Sequence, residues 1–273
     1  MKSFRMKSLS LAVLALTGLG MAQSAAAVCN NATPFVAWSS WNPNNSTNVG
    51  AAFGGSTVAA DGLNGTSCSM ASKFTQANVS LGESANVYDQ SPAKEQTYRF
   101  RFYIDPTNLQ TASLTSSTQV AIFGAQSAAN HGTVKPNNNL VRMYILGNGT
   151  GTALLRTFAA CNTGDNFQAS RCRSLTGDVT LAAGPQRIEG QLIIGGAGTG
   201  KVNIWIGSNV GTPDAVINVD NSAWGGVGVE GVKQANLGLF QATGGVSGYQ
   251  GVFLNTVVRF DEFDSRRQTA IGP

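Results

Sequence analysis

Charged residues and histidine are scarce in this chain of 273 residues. Asp, Glu, Lys and Arg make up 12% of it, and His131 is the one histidine. With one histidine and no Cys-x-x-Cys spacing, a zinc site is the weaker interpretation of the cysteines. His131 also lies far from any nucleophile motif, so a Ser-His-Asp triad is not supported. Helical periodicity is missing outside the first 27 residues, which argues against a helical protein.

The first 27 residues have the pattern of an export signal. Lys2, Arg5 and Lys7 precede an apolar run, and Ala25 to Ala27 form a small-residue cleavage site. We expect cleavage after Ala27, release to the periplasm or beyond, and no membrane span in the mature chain. The formal net charge of +4 then falls to about +1, because the leader holds three of the 18 basic and none of the 14 acidic residues. Nucleic acid is therefore not an expected partner.

Four cysteines in an exported protein favour two disulfides, with Cys29–Cys68 and Cys161–Cys172 preferred among three connectivities. The segment 28–78 is rich in Asn, Gly and Ser, and we expect it to be loosely structured and tied down by the first disulfide. A β-sandwich domain is predicted for 79–273.

The strand that organises this domain is predicted at Thr97–Asp105. Its residues alternate, so that Tyr98, Phe100, Phe102 and Ile104 share one face and Arg99 and Arg101 lie on the other. Further short apolar runs follow, separated by Gly, Asn and Pro clusters. This pattern predicts an all-β protein with an antiparallel sandwich.

Four segments, in order, resemble secreted bacterial domains of the concanavalin A-like, laminin-G-like jelly-roll superfamily. They are VSLGESANVYDQSPAKEQTYRFRFYIDP, the pair RIEGQLIIG and KVNIWIG, VINVDNSAW, and the terminal VVRFDEFDSRRQTAIG. The resemblance covers Val79 to Gly272 and implies a jelly-roll β-sandwich. Because that group is mostly of unassigned function, it implies little about activity.

Two motifs have competing interpretations. Gly195 to Lys201 nearly spells a phosphate-binding loop, but Val202 replaces the required hydroxyl and a strand follows, so a hairpin loop is predicted. Asp261, Glu262 and Asp264 form the densest acidic group. Neighbouring strand residues face opposite ways, so we expect ion pairs with Arg259, Arg266 or Arg267 rather than paired catalytic carboxylates. No catalytic residue is therefore assigned from the sequence.

Binding candidates lie mainly in loops. The rings of Trp38, Trp41, Trp224 and Tyr249 stand among amide and hydroxyl side chains, which suits stacking on sugars, although loop aromatics also cap cores. Calcium is a candidate ligand at Asp220 and Asn221, and the resemblance implies such rim sites, but ordinary turn formation is the favoured interpretation of these residues.

Arginines within predicted strands are a further candidate. They either form a cationic track for acidic polysaccharide or pair with Asp105, Glu189 and Asp261 across strands, and the near-neutral net charge of the mature chain favours pairing. These residues are Arg99, Arg101, Arg142, Arg187 and Arg259.

The leading hypothesis is an exported, non-enzymatic β-sandwich that binds carbohydrate or mediates surface attachment. The alternatives are a polysaccharide-active enzyme, either a hydrolase or a lyase, and a structural component of the envelope or matrix. Paired carboxylates in a cleft would favour a hydrolase, and an aromatic groove would favour binding alone.

Overall fold

Short β-strands make up almost all of the described chain. The structure is a computed structural model, and it describes residues 55–59, 62–65, 69–73, 84–89, 92, 94–110, 119–127, 139–147, 151–160, 171–173, 177–195, 199–219, 231–243 and 256–266. Within these ranges the strands are β1 Gly55–Ala59, β2 Ser69–Lys73, β3 Ser84–Asp89, β4 Thr97–Asp105, β5 Gln119–Gln126, β6 Asn139–Gly147, β7 Ala153–Ala160, β8 Arg171–Arg173, β9 Val179–Leu181, β10 Gln186–Ile193, β11 Gly200–Ile206, β12 Ala215–Val219, β13 Gln234–Thr243 and β14 Val258–Arg266, with a short helix α1 at Thr107–Gln110.

The strands form two antiparallel sheets. Sheet A has the order β1-β2-β14-β4-β10-β11-β12, and sheet B has the order β3-β13-β5-β6-β7-β8, with β9 pairing β7. The sheets pack face to face around one large apolar core. The predicted fold class, an all-β antiparallel sandwich of the jelly-roll type, is confirmed.

Strand β4 lies near the middle of sheet A, between β14 and β10. Its bounds agree with the prediction, and its apolar residues Tyr98, Phe100, Phe102 and Ile104 are fully buried in the core. The alternate residues therefore lie on the outer face of sheet A. Alternation in the sequence was sufficient to assign both faces of this strand.

The centre of the core is an aromatic stack that joins the sheets. The rings of Phe100 on β4 and Phe123 on β5 stack with centroids 3.9 Å apart. Beside Phe100, in register on β10, lies Gly190, where a Cβ atom would overlap the Phe100 ring. The absent side chain at Gly190 therefore makes room for the ring that connects the two sheets.

Other predictions have mixed outcomes. Strands β10 and β11 pair antiparallel, and Gly195 precedes β11, so the predicted hairpin replaces a phosphate-binding loop. Strands β1, β2 and β8 were not predicted, and β1 and β2 join sheet A from ahead of Val79. The sequence also predicts a strand over 73–81; of these residues Lys73 ends β2, and the others lie outside the described residues. The domain boundary at Val79 stays a prediction.

Candidate functional site

A cluster of uncharged polar side chains around one arginine lies on the outer face of sheet B. Its members come from the three adjacent strands β13, β5 and β6, and we call it the polar face: Gln126, Asn139, Arg142, Tyr144, Gln234 and Asn236. All six are buried, five of them completely and Asn139 with 3% of its surface exposed. The ring of Tyr144 also belongs to a small apolar cluster with Ala121 and Phe158.

Irregularities in the strands decide which residues belong to the polar face. The register between β5 and β6 shifts so that Ala125 pairs with Val141 but Gln126 pairs with Asn139, which leaves Leu140 as an extra residue. Without this β-bulge Asn139 would point the same way as Val141, into the core. The bulge instead turns the Asn139 amide toward Gln126.

Cross-strand register places the polar face in rows. Asn236 on β13 lies opposite Gly124 on β5, which in turn lies opposite Arg142 on β6. In the next row, Ala121 on β5 lies opposite Tyr144. Strand β5 thus places only the hydrogen atom of Gly124 between the Asn236 amide and the Arg142 guanidinium, and only the methyl group of Ala121 beside the Tyr144 phenol.

Hydrogen bonds link neighbouring members of the polar face. Arg142 Nη1 donates to the Tyr144 hydroxyl at 3.4 Å, Gln126 Nε2 donates to Asn139 Oδ1 at 3.4 Å, and Gln234 Nε2 donates to Asn236 Oδ1 at 3.1 Å. In the described part of the chain, Gln126 Oε1 and Asn236 Nδ2 are buried without a hydrogen-bond partner. Buried polar atoms in this condition are unusual in folded proteins, because each loses its hydration without replacement.

A second arginine flanks Tyr144. Arg156 on β7 lies opposite Tyr144 and donates two hydrogen bonds to Asp178, at 2.8 and 2.6 Å, and a third to Gln119 at 3.4 Å. Phe158 packs its ring edge-on against Tyr144 with centroids 5.7 Å apart. The Tyr144 ring is therefore held on one side by Phe158, and the charge of Arg156 is already neutralised by Asp178.

The outer face of sheet A has a different chemistry. Glu189 on β10 is buried and forms ion pairs with Arg99 at 3.2 Å and with Arg187. Arg187 also donates to the backbone carbonyls of Gly207 and Asn209. We call Arg99, Arg187 and Glu189 the charged cluster. Its opposite charges pair with one another, which confirms the expectation that Glu189 pairs with strand arginines.

A β-bulge on β14 overturns part of the prediction for the acidic group. Asp261 pairs with Tyr103 but Asp264 pairs with Arg101, so one extra residue lies between them, and Glu262 adopts φ 45°. Glu262 consequently contacts Arg101 at 3.8 Å, on the outer face that Asp261 also shares. The assumption of strict alternation was wrong here, because the bulge interrupts it.

The buried Asp261 has a structural role. Its carboxylate accepts the backbone N–H groups of Leu63 and Glu262, both at 2.7 Å. Nearby, burial raises the pKa of the Tyr103 phenol and the negative charge of Glu262 raises it further, against smaller lowering effects of Arg101, Arg187 and a hydrogen bond with Asn64. Tyr103 is thus kept as a neutral phenol.

The five strand arginines do not form one track. Arg99, Arg101, Arg187 and Arg259 belong to strands of sheet A, whereas Arg142 belongs to sheet B. Arg259 donates to the Ser69 hydroxyl at 3.1 Å. A single cationic surface of all five is therefore excluded by the topology.

Most of the other predicted site residues lie outside the described residues. These are Trp38, Trp41, Trp224, Tyr249, Asp220, Asn221, Cys29, Cys68 and Cys161, together with the leader and His131. Cys172 lies in β8, and both disulfides stay predictions. Where the chain is described, no three His, Cys, Asp or Glu side chains are grouped as a metal site would require, and calcium stays a prediction. No described helix is long and apolar enough to cross a membrane.

Sequence reasoning found Arg142 but missed the rest of the polar face. The alternation of Arg142, Tyr144 and Leu146 in β6 was available as a signal, as was that of Gln234 and Asn236 in β13. Neither pattern indicates that the two strands lie on either side of β5. That information comes from the sheet order.

Comparison with known proteins gives similarity at the level of fold. No protein-family model matches the sequence, and no curated protein matches it either. An endo-β-1,4-glucuronan lyase from the fungus Trichoderma reesei superposes with a TM-score of 0.51 at 13% identity, over 79% of this chain and 87% of that one. A marine PL-14 alginate lyase from Aplysia kurodai gives 0.50 at 9% identity, over 78% and 87%.

A third solved structure is a variant of alginate lyase Aly36B in complex with an alginate trisaccharide. It superposes with a TM-score of 0.50 at 12% identity, over 84% of this chain and 87% of that one. At these identities the three likenesses establish the two-sheet sandwich fold of this chain and leave its chemistry to be argued from its own residues.

Proposed function

We propose that this protein is exported and acts on an acidic polysaccharide, with the polar face as its substrate site. The observation that carries the proposal is the polar face itself: one guanidinium, one phenol and four carboxamides on adjacent strands, with amide atoms that lack partners in the described part of the chain. The leader predicted at 1–27 supports export.

The residue types suit a sugar that carries a carboxylate. A guanidinium binds a carboxylate through paired N–H donors, and carboxamides both donate to and accept from ring hydroxyls. The three sandwich-fold neighbours are named as lyases of glucuronan and alginate, polysaccharides whose sugar rings carry carboxylates. Their names agree with the ligand class that the polar face itself suggests.

The same residues suit cleavage by β-elimination. In this reaction the proton on the carbon beside the carboxylate is removed, a carbon–carbon double bond forms, and the glycosidic C–O bond breaks as the leaving oxygen takes a proton. Arg142 would stabilise the negative charge that develops on the carboxylate. The amides of Gln126, Asn139 and Asn236 would orient the sugar. Tyr144, which accepts a hydrogen bond from Arg142, would take this proton on its phenolate oxygen, and the phenol so formed would give a proton to the leaving oxygen.

This proposal reverses the preference of the sequence analysis, which favoured binding without catalysis. Carbohydrate binding alone is the second candidate, and the four carboxamides favour it, because amides recognise sugars but do not move protons at neutral pH. The two candidates predict the same ligand and differ in whether a product appears.

Cleavage distinguishes them directly. The secreted protein should convert glucuronan or alginate to products with the ultraviolet absorbance of an unsaturated uronate. Tyr144→Phe should lower the rate at least a hundredfold, because proton transfer contributes about 10²–10⁴ to such reactions. The matched control is Tyr103→Phe, which removes a phenol from the opposite sheet and should leave the rate unchanged.

Binding measured on the same variants completes the test. If the wild-type protein retains the oligosaccharides, loses them on Arg142→Gln and forms no product, the polar face is a binding site and the lyase proposal fails. If Arg142→Gln keeps both full affinity and full activity, the polar face is not the site for acidic sugars.

A further inference from the structure

The outer face of sheet A carries an indole ring held in a fixed position at the edge of the charged cluster. Trp205 on β11 is partly exposed, and its Nε1–H donates to the backbone carbonyl of Gly211 at 2.7 Å. The guanidinium of Arg99, two strands away on β4, lies 5.4 Å from the ring centroid. The guanidinium lies over one face of the indole, and the geometry of this pair, which we call the platform, is set before any ligand arrives.

Amide groups border this platform. Asn203 shares the outer face of β11 with Trp205, and its Nδ2 donates to Gln191 Oε1 at 3.2 Å. Asn203 is 7% exposed, and its Oδ1 is buried without a partner in the described part of the chain, as is Arg99 Nε. The outer face of sheet A thus carries an unsatisfied acceptor on the same strand as Trp205 and an unsatisfied donor on Arg99.

The charge on this part of the face is positive. On β4, β10 and β11 the outward-facing charged side chains are Arg99, Arg101, Arg187 and Lys201 against Asp105 and Glu189. The acidic side chains Asp261, Glu262 and Asp264 lie beyond Arg101, on β14, and the carboxylate of Asp214 is held at the end of β11 by the Ile206 N–H and the Asn209 amide. A ligand resting on Trp205 would therefore meet an excess of cations, and an anionic ligand would be favoured over a neutral one.

We propose that Trp205, Arg99, Gln191, Asn203 and Lys201 form a second binding site, for an anionic sugar residue of an acidic polysaccharide. The C–H groups of a pyranose ring would pack against the indole, the carboxylate would face Arg99 and Lys201, and the amides would bond hydroxyl groups. The site lies on the sheet opposite to the polar face and stands on its own residues, whether or not the protein is a lyase.

A titration followed by nuclear magnetic resonance tests this site with the polar face disabled. The Arg142→Gln variant is titrated with a glucuronate tetrasaccharide while the indole N–H resonance of Trp205 is followed. This resonance is assigned as the one that disappears in Trp205→Phe. It should shift with a Kd of about 10⁻⁴–10⁻³ M, the range for few buried contacts. The neutral glucose tetrasaccharide of the same linkage should leave it unmoved.

Two variants examine the cations. Arg99→Gln should weaken binding about tenfold, the loss expected for one charge-assisted contact. Because Arg99→Gln removes a partner of Glu189, Lys201→Gln is the control that keeps both Glu189 ion pairs, and it should weaken binding about threefold.

The outcomes separate this site from the proposed function. If the Trp205 resonance of the Arg142→Gln variant shifts and the wild-type protein cleaves no polysaccharide, the second site holds and the lyase proposal fails. An unmoved Trp205 resonance overturns the second site, even where the wild-type protein cleaves polysaccharide. An equal shift with the neutral tetrasaccharide overturns its assignment to anionic sugars.

Discussion

The outer faces of the two sheets bury polar side chains in opposite ways. On sheet A, the charged cluster pairs Glu189 with Arg99 and Arg187, so that each charge finds an opposite charge within the protein. On sheet B, the polar face gathers carboxamides around Arg142, and Gln126 Oε1 and Asn236 Nδ2 are buried there without a hydrogen-bond partner in the described part of the chain. We infer that the buried pair of Glu189 and Arg187 mainly stabilises the fold, whereas the amides of the polar face retain hydrogen-bonding capacity for a ligand.

Removing the centre of the charged cluster should produce the largest effect. Glu189→Leu leaves the guanidinium of Arg187 buried without its carboxylate, and breaking a buried ion pair in this way destabilises a protein by about 3–5 kcal/mol. Urea unfolding followed by circular dichroism measures the loss.

The control for this variant lies two residues along the same strand. Gln191→Leu changes an uncharged, partly exposed side chain on the same outer face, and it should destabilise by less than about 1 kcal/mol. Equal midpoints for the two variants would contradict the structural role of the charged cluster.

The aromatic stack between the faces gives the next effect. In Gly190→Ala the new methyl group would overlap the Phe100 ring and displace it from Phe123, at a cost of about 1–3 kcal/mol. Phe100→Leu should partly relieve the overlap, so the double variant should be more stable than the sum of the single effects predicts. Strict additivity in urea unfolding would show that Gly190 and Phe100 do not compete for the same space.

The sequence specified strand β4 and the polar face unequally. The alternation in β4 predicted its bounds and both of its faces, because one apolar face must be buried in any sandwich. The polar face could not be predicted in the same way. It depends on β13 and β6 lying on either side of β5, although β13 is about a hundred residues from β5 along the chain. It also depends on the bulge at Leu140.

The acidic group on β14 illustrates the same limit. Ion pairing was predicted correctly in kind, but the partner of Glu262 is Arg101 on the adjacent strand rather than one of the arginines near it in sequence. A single extra residue between Asp261 and Asp264 changes which side chains share a face. Period-two reasoning holds between bulges and fails across them.

A substitution within the polar face should have a small effect on stability. Gln126→Leu removes one long hydrogen bond to Asn139 and also removes a buried acceptor that lacks a partner in the described part of the chain. These terms oppose each other, so the unfolding free energy should change by less than about 1 kcal/mol. A loss as large as that of Glu189→Leu would remove the contrast between the two faces.

The smallest effect concerns the pH dependence at Tyr103. Its pKa in the folded protein is raised from 10.0 by burial and by Glu262, so the phenol favours folding while it stays protonated. This contribution is fully present below pH 10.0 and is lost as the pH rises through the folded-state pKa. Tyr103→Phe should therefore show a shallower fall in stability above pH 10.0 than the wild type, measured by urea unfolding across that range.

The most direct test of the central claim is the crystal structure of Tyr144→Phe with a glucuronate tetrasaccharide. The account predicts a sugar chain across β13, β5 and β6, with one carboxylate on Arg142 and hydroxyl groups at Gln126 and Asn236. A tetrasaccharide bound away from these side chains, with the polar face still buried, would contradict the claim that this face is the substrate site.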